Sequence, residues 1–351
     1  MTLLRTGITT GTCATAAAYA AAVVLQRDSA PENVSVQLPN GQLLIVPVLY
    51  ARQNAAGSEA SVRKDAGDDP DVTDGVDVVV RLSWSKGTES RFIAGEGVGT
   101  ITKPGLQIAP GQAAINPVPQ AMILAAIHEV TDHPVDIEVS IPGGEDIALQ
   151  TFNPRLGIAG GLSILGTTGI VRPYCKRAIR DSIRAALDVA IACGIHSPIL
   201  VPGNIGFSAV SRRFRPADQQ VIEVGNDWGF ALEEVARHEF SALMLAGHPG
   251  KLAKMIQGDW DTHSSRSQSA VRLITSVGVE YLSLEMQPSE TVEGLFAALL
   301  PPLNERLGNE ISRQILDAVE KRIDLAFLLA VQLFDMVGND IGANGDFTPW
   351  Q

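Results

Sequence analysis

The sequence contains little cysteine, few aromatic residues and a minority of positive charge. Its three cysteines, Cys13, Cys175 and Cys193, show no C-x-x-C spacing, which excludes a disulfide framework or a zinc knuckle and fits a reducing cytoplasm best. Lysines and arginines number 27 against 39 aspartates and glutamates, and aromatic residues make up only 5%. A phosphate backbone would meet a repulsive average field and few stacking platforms, so we expect no nucleic-acid partner.

Long apolar runs are also missing from the sequence. No stretch approaches the roughly 18 uninterrupted apolar residues that a membrane helix needs. The alanine-rich residues 14–25 follow the polar, glycine-broken residues 6–12, so we interpret them as an ordinary helix rather than a signal peptide. We therefore expect a soluble, cytoplasmic protein with no membrane partner.

Several common catalytic and metal-binding motifs are absent as well. No glycine-rich loop ends in G-K-[ST], no serine lies in a G-x-S-x-G turn, and the histidines offer no H-E-x-x-H. The acidic residues 64–75 lack the glycine and glutamate positions of an EF-hand loop. The sequence thus predicts no dedicated metal site and no hydrolase triad.

The length of 351 residues suggests two domains at roughly 150 residues each, and a change of pattern places their boundary at residues 153/154. We interpret residues 1–153 as a mixed α+β domain with hairpins. We interpret residues 154–351 as an α/β domain with a Rossmann-like parallel sheet and a helical C-terminal tail.

The first domain is predicted from helix and turn signals. Thr12 is expected to cap a helix over residues 13–25. An Asn-Gly pair inside the apolar residues 34–48 predicts a hairpin. A Pro-Gly-Gly turn inside residues 135–152 predicts a second hairpin.

The second domain is predicted from three short apolar strands, each followed by a glycine-containing loop. Strands that alternate with helices in this way are typical of a parallel sheet. After Gly258 the pattern is mostly helical as far as residue 337, with Gly308 and Asn309 dividing the last helix. The three predicted strands are residues 198–201, 220–224 and 241–245.

The loops after these strands form the most interpretable candidate site. Each loop alone is a plausible tight turn. Three of them at the carboxyl ends of parallel strands favour a small-ligand site, because ligands bind at that edge of an open sheet and glycine lets backbone approach them. Glu223 or Asp227 could hold the hydroxyl pair of a ribose. The candidate binding residues are Gly203, Asn204, Gly206, Glu223, Gly225, Asn226, Asp227 and Gly247.

Nine blocks of sequence resemble the CbiD family. They run in order over about residues 5 to 265 and include Gly95-Glu96-Gly97-Val98-Gly99. The other eight blocks are residues 5–14, 64–75, 102–106, 116–119, 153–158, 160–171, 247–251 and 262–264.

The resemblance implies the S-adenosylmethionine-dependent methylation of C1 in cobalt-precorrin-5B, giving cobalt-precorrin-6A in cobalamin biosynthesis. It implies an anionic corrinoid substrate as partner and leaves a homo-oligomer open. On this interpretation the second domain binds the cofactor at its strand ends, and the first domain forms one wall of a substrate cleft. Methyl transfer from a sulfonium needs orientation and the exclusion of water more than a dedicated nucleophile.

Candidate substrate contacts follow from the many carboxylates of a precorrin, which call for cations and hydroxyl groups. The threonines among them could equally serve as helix caps and turn residues. Asp65 and His248, each in a signature block, are the candidates for a catalytic role. The candidate substrate-binding residues are Arg5, Thr9, Thr10, Thr12, Lys64, Lys103, Arg155, Thr167 and Thr168.

Two other functions remain compatible with the residues themselves. A nucleotide-dependent oxidoreductase would use the same sheet edge but bind a nicotinamide cofactor. A non-catalytic tetrapyrrole-binding protein would hold the macrocycle without turning it over.

Overall fold

A computed structural model describes residues 4–27, 29–323 and 328–351. The chain divides into two compact units, Met1–Lys176 and Arg177–Gln351. Residues 154–176 therefore lie with the first unit, beyond the expected boundary at 153/154. The reason is strand pairing, because Ile158–Ala159 pairs with Thr100–Ile101 and Ile170–Val171 pairs with Gly7–Ile8, both antiparallel.

The first unit combines short strands with three helices among its described residues. Its largest sheet has five strands in the order β4-β5-β6-β9-β7, and β2 and β3 form a separate antiparallel pair. The hairpin predicted over residues 34–48 is thereby confirmed. The elements are β1 Gly7–Ile8, α1 Thr10–Arg27, β2 Asn33–Gln37, β3 Leu43–Pro47, β4 Tyr50–Asn54, β5 Gly57–Arg63, β6 Asp77–Trp84, β7 Arg91–Ala94, β8 Thr100–Ile101, α2 Pro117–His128, β9 Val135–Ser140, α3 Gly144–Ala148, β10 Ile158–Ala159 and β11 Ile170–Val171.

The second predicted hairpin is wrong. Strand β9 is followed by a turn at Gly143 and the short helix α3, not by a partner strand. Glu145 and Asp146 lie in the first turn of this helix, where negative charge is favourable beside the exposed amide groups. The sequence 147–152 was apolar enough to resemble a strand, but the acidic turn residues before it start a helix.

Helix α1 forms the centre of the first unit. Seven of its 18 residues are alanines, and all seven are buried, so the backbone of the neighbouring sheet can come close. The Ser58 hydroxyl on β5 donates a hydrogen bond of 2.7 Å to the carbonyl of Ala21. The cap is Thr9 rather than the predicted Thr12, because the Thr9 hydroxyl accepts the Thr12 amide at 3.2 Å and the helix begins at Thr10.

The second unit contains one five-stranded sheet in the order β13-β12-β14-β15-β16, in which the first four strands are parallel and β16 is antiparallel. The three strands predicted from the sequence are confirmed, and they are parallel. The elements are α4 Lys176–Ala192, β12 Ile199–Val201, α5 Asn204–Phe214, β13 Val221–Glu223, α6 Trp228–Val235, β14 Ala242–Gly247, α7 Pro249–Leu252, α8 Ala270–Leu282, α9 Val292–Ala297, α10 Leu303–Arg322, β15 Leu328–Phe334 and β16 Asp340–Gly345.

The predicted helical tail is wrong in its last part, because β15 and β16 follow the helices α8, α9 and α10 and complete the sheet. Gly308 and Asn309 do not divide a helix but lie inside α10. A Cβ atom on Gly308 would overlap the carbonyl of Ile341, so β16 packs directly on the helix backbone. The Asn309 side chain accepts the amide of Ala343 on β16 at 2.8 Å.

Within the part of the chain that the structure describes, no helix has the length and apolar character needed to cross a membrane.

Candidate functional site

The strand order of the second unit reverses direction between β12 and β14. The chain passes from β12 through α5 to β13, and then through α6 back across β12 to β14. Helix α5 packs on the sheet face that carries Ile199 and Val201, whereas the helices α6 and α7 pack on the face that carries Leu200. The connections after β12 and β14 therefore leave toward opposite faces, which is the geometry that opens a ligand crevice beyond the strand ends.

Two glycines leave open space at this edge. Gly203 precedes α5, and Gly225 follows β13 with a φ of +62°. A Cβ atom at either position would meet no heavy atom of the described residues within 4 Å. The backbone at both positions is therefore accessible to close approach by a ligand.

Gly206 and Gly247 instead serve packing. A Cβ atom on Gly247 would lie 2.8 Å from the ring of Pro202, and one on Gly206 would lie 3.2 Å from the same ring. These glycines let the loop after β12 close against the end of β14. They shape the crevice without lining an open space.

The acidic candidates at this edge have different surroundings. Asp227 is largely buried and forms an ion pair of 2.7 Å with Arg180. Glu223 is the last residue of β13 and is half-buried. The backbone carbonyl of Asn226 accepts a hydrogen bond of 2.9 Å from the Thr262 amide. This bond fixes the loop that contains Thr262, to which the sequence assigned no role. A role of either carboxylate in holding a ribose stays a prediction.

His248 has a structural role in the loop after β14. Its Nδ1 accepts the amide of Gly250 at 3.0 Å and so caps α7. Because Nδ1 accepts, the ring proton lies on Nε2, which is 3.0 Å from the Glu293 carboxylate. A catalytic role for His248 stays a prediction.

In the first unit, the acidic residues 64–75 form a loop held by its own carboxylates. Asp65 is hydrogen-bonded to the Arg5 guanidinium and to the Gly67 amide, and these bonds lower its pKa below the ordinary value. Asp74 accepts the Ala66 amide at 2.8 Å. Asp65 is therefore ionised and engaged in the turn, and its catalytic role also stays a prediction.

Lys64 is the candidate whose position differs most from expectation. Its side chain is only 2% exposed, and its ammonium forms an ion pair of 2.7 Å with Asp71. Sequence reasoning missed Asp71, although a carboxylate seven residues after the lysine was the available signal. Lys64 thus forms an internal ion pair in this structure, and its contact with a substrate stays a prediction.

The threonines of the first block are buried and pack against residues 163–169. The Thr10 hydroxyl accepts the Leu165 amide at 3.0 Å, and the Thr12 hydroxyl donates to the Gly169 carbonyl at 2.7 Å. Thr9 caps the helix. These hydroxyls fill the capping and turn role, and their contact with a substrate stays a prediction.

The remaining substrate candidates are more accessible. Thr167 and Thr168 are exposed, and Lys103 and Arg155 are half-buried. The lysine stem covers Gly157, whose carbonyl accepts the Thr102 hydroxyl at 2.8 Å. The structure thus brings the blocks 102–106 and 153–158 into contact.

The Cys13 thiol is buried, and burial raises its pKa to about 12, so it is not a ready nucleophile. Among residues 4–27, 29–323 and 328–351, no cluster of three or more His, Cys, Asp or Glu side chains could hold a metal ion.

The sheets and helices of the two units define a mixed α/β protein. The CbiD family model matches residues 1–173. A cobalt-precorrin-5B C(1)-methyltransferase from Syntrophotalea carbinolica is 46% identical over 348 residues, covering 99% of this chain and 99% of the relative. A protein of the same name from Ralstonia nicotianae is 39% identical, and the alignment covers 97% of this chain and 94% of that relative. The chain belongs to the CbiD family, as its sequence blocks indicated.

A solved structure is also similar. The crystal structure of the cobalamin biosynthesis protein CbiD from Archaeoglobus fulgidus has 30% sequence identity and a TM-score of 0.41, with 75% of this chain and 83% of the other covered.

Proposed function

We propose that this protein is an S-adenosylmethionine-dependent methyltransferase that methylates C1 of cobalt-precorrin-5B in cobalamin biosynthesis. The observation that carries the proposal is the 46% identity, over 99% of both chains, to a relative named for that reaction. The aligned region spans the sequence blocks from which the resemblance to the CbiD family was drawn.

The proposed cofactor site is the strand-end edge of the second unit. Its strand order is that of a doubly wound, Rossmann-like sheet whose switch point lies between β12 and β14. Three features support it: the accessible backbone at Gly203 and Gly225, the start of the 11-residue helix α5 just after Gly203, and Glu223 at the end of β13. In this fold class an acidic residue at the end of the second strand binds ribose hydroxyls.

The proposed reaction requires the protein to orient its ligands rather than to supply a nucleophile. When bound, S-adenosylmethionine supplies a methyl group on a positively charged sulfur. Glu223 accepts the ribose hydroxyls, and the backbone at Gly203 and Gly225 allows close approach of the adenosyl group. The residues orient the ligand and exclude water, which is the main requirement of an in-line displacement.

The proposed substrate contacts are Lys103, Arg155, Thr167 and Thr168. Lys103 and Arg155 are half-buried and Thr167 and Thr168 are exposed, so a ligand can reach all four side chains. Cations and hydroxyls of this kind suit the ring carboxylates of a precorrin. All four belong to the first unit.

The proposal is tested with the full-length protein. Calorimetry should show binding of S-adenosylhomocysteine, and incubation with cobalt-precorrin-5B and S-adenosylmethionine should add one methyl group by mass spectrometry. Binding of NADH in place of S-adenosylhomocysteine would favour the oxidoreductase instead. Corrinoid binding with neither cofactor would favour a carrier.

Two glycines with the same backbone conformation provide a local test of the cofactor site. Gly225 at the carboxyl edge and Gly194 before β12, at the amino edge, have φ values of +62° and +78°, and both face open space. Asparagine tolerates this conformation. We expect Gly225→Asn to weaken S-adenosylhomocysteine binding at least about tenfold, a loss of about 1.4 kcal/mol, and Gly194→Asn to leave it unchanged. Equal affinities in calorimetry would move the cofactor away from the loop after β13.

A further inference from the structure

Two lysines follow β14 on the side of the candidate crevice. Helix α7 begins directly after His248 and contains Lys251, and the helical turn Ala253–Gln257 contains Lys254. Lys254 is only 7% exposed, and its ammonium donates hydrogen bonds to the Thr262 carbonyl at 3.1 Å and to the Ser267 hydroxyl at 2.9 Å. Both partners are neutral oxygens.

Lys251 is half-buried, and its ammonium makes no hydrogen bond or ion pair with any described residue. Two carboxylates in the same part of the unit have other partners: Glu293 lies 3.0 Å from His248, and Asp261 lies 2.7 Å from Arg266. Burial lowers the pKa of Lys251, and the charge of Lys254 lowers it further. The charged form is therefore held at a cost.

Such an arrangement calls for an anion. A partly buried cation without a counter-ion is unfavourable, and a second cation beside it adds repulsion. A carboxylate placed against Lys251 would satisfy its donors and offset the repulsion from Lys254.

We propose that Lys251, assisted by the neighbouring Lys254, binds a carboxylate group of a ligand at the strand-end edge of the second unit. The inference rests on the proposed function, which supplies two carboxylate sources: the amino-acid end of S-adenosylmethionine and the side chains of the corrinoid. The cofactor end is the nearer source, because Lys251 lies four residues after Gly247 at the end of β14.

The test compares three full-length variants. Lys251→Met removes the charge but keeps the length of the side chain, and Lys251→Arg keeps the charge. Lys321→Met is the control, because Lys321 is an exposed lysine of the same unit, in the last turn of α10. Calorimetry measures S-adenosylhomocysteine, methylthioadenosine, which lacks the amino-acid end, and cobalt-precorrin-5B. Thermal unfolding checks each fold.

If the carboxylate belongs to the cofactor, Lys251→Met weakens S-adenosylhomocysteine binding about tenfold or more, leaves methylthioadenosine unchanged, and Lys251→Arg recovers most of the loss. If the carboxylate belongs to the corrinoid, the same loss and recovery appear with cobalt-precorrin-5B alone.

If Lys251→Met binds all three ligands as tightly as the control Lys321→Met does, the inference is overturned. It is also overturned if Lys251→Arg loses as much affinity as Lys251→Met. Neither result would affect the proposed function as long as the unaltered protein methylates its substrate. Failure of the unaltered protein to bind S-adenosylhomocysteine or to methylate would reject the proposed function and this inference with it.

Discussion

Replacing Lys64 with methionine is expected to lower the free energy of unfolding by about 3 kcal/mol, because it leaves the Asp71 carboxylate without its buried partner. The side chain of Lys64 is 2% exposed and that of Asp71 is 25% exposed, and the Lys64 Nζ lies 2.7 Å from the Asp71 Oδ2. The Asp71 carboxylate keeps its bonds from the Thr73 amide and hydroxyl, so the loss lies at the lower end for a broken buried pair. The midpoint of urea unfolding measures it.

The neighbouring residue supplies the control. Arg63 pairs with Asp77 at 2.8 Å, but its side chain is 60% exposed, and exposed pairs contribute about 0–1 kcal/mol. Arg63→Met should therefore shift the midpoint far less than Lys64→Met. Equal shifts in the two variants would contradict the structural role of Lys64.

The pH dependence gives an independent check of the same pair. Burial raises the pKa of Asp71, but the hydrogen bonds from Lys64 and Thr73 outweigh it, and the net pKa lies below the ordinary value. A lowered pKa in the folded state contributes stability above the unfolded pKa of about 4, and that contribution is lost as the pH falls through the folded pKa. The difference between the unaltered protein and Lys64→Met should thus shrink below about pH 4.

The parallel strands of the second unit could be predicted from the sequence because their boundaries are visible in it. Each of the three short apolar runs ends in a loop with glycine, asparagine or proline, so both the strand and the following turn are marked. The start of strand β15 has no such boundary. Residues 303–337 contain no proline and one glycine, Gly308, and a buried parallel strand such as Leu328–Phe334 has the same continuous apolar pattern as a buried helix.

The candidate site, too, could be predicted only in part from the sequence. The glycines at the strand ends could be located, since the edge of a parallel sheet collects its loops in one place. The ion-pair partners of the charged side chains could not be predicted, because these pairs form between residues that are distant in the sequence. Arg5 pairs with Asp65 across 60 residues of sequence, and Asp227 pairs with Arg180 across 47. Only the folded chain shows that these charges are already satisfied, whereas Lys251 is not.

Replacing Glu223 with alanine is expected to weaken S-adenosylhomocysteine binding about a hundredfold. Hydrogen bonds to a charged acceptor contribute about 1.5–3 kcal/mol each, and a carboxylate at the end of β13 would accept both ribose hydroxyls. Calorimetry with the 2′-deoxy analogue makes the test specific. If Glu223 holds the ribose, removing the 2′-hydroxyl weakens binding to the unaltered protein but has little further effect in Glu223→Ala.

The control for Glu223→Ala is Glu239→Ala. Glu239 is exposed and precedes β14, at the amino edge of the same sheet, so its replacement changes the net charge equally while leaving the carboxyl edge intact. If the two variants weaken binding to the same extent, the effect comes from the overall charge of the unit rather than from a ribose contact. If Glu223→Ala alone loses affinity but the 2′-deoxy penalty persists in it, the carboxylate contacts some other part of the ligand. Only a loss specific to Glu223 that also abolishes the 2′-deoxy penalty supports the ribose at the end of β13, because no other arrangement couples that carboxylate to that hydroxyl.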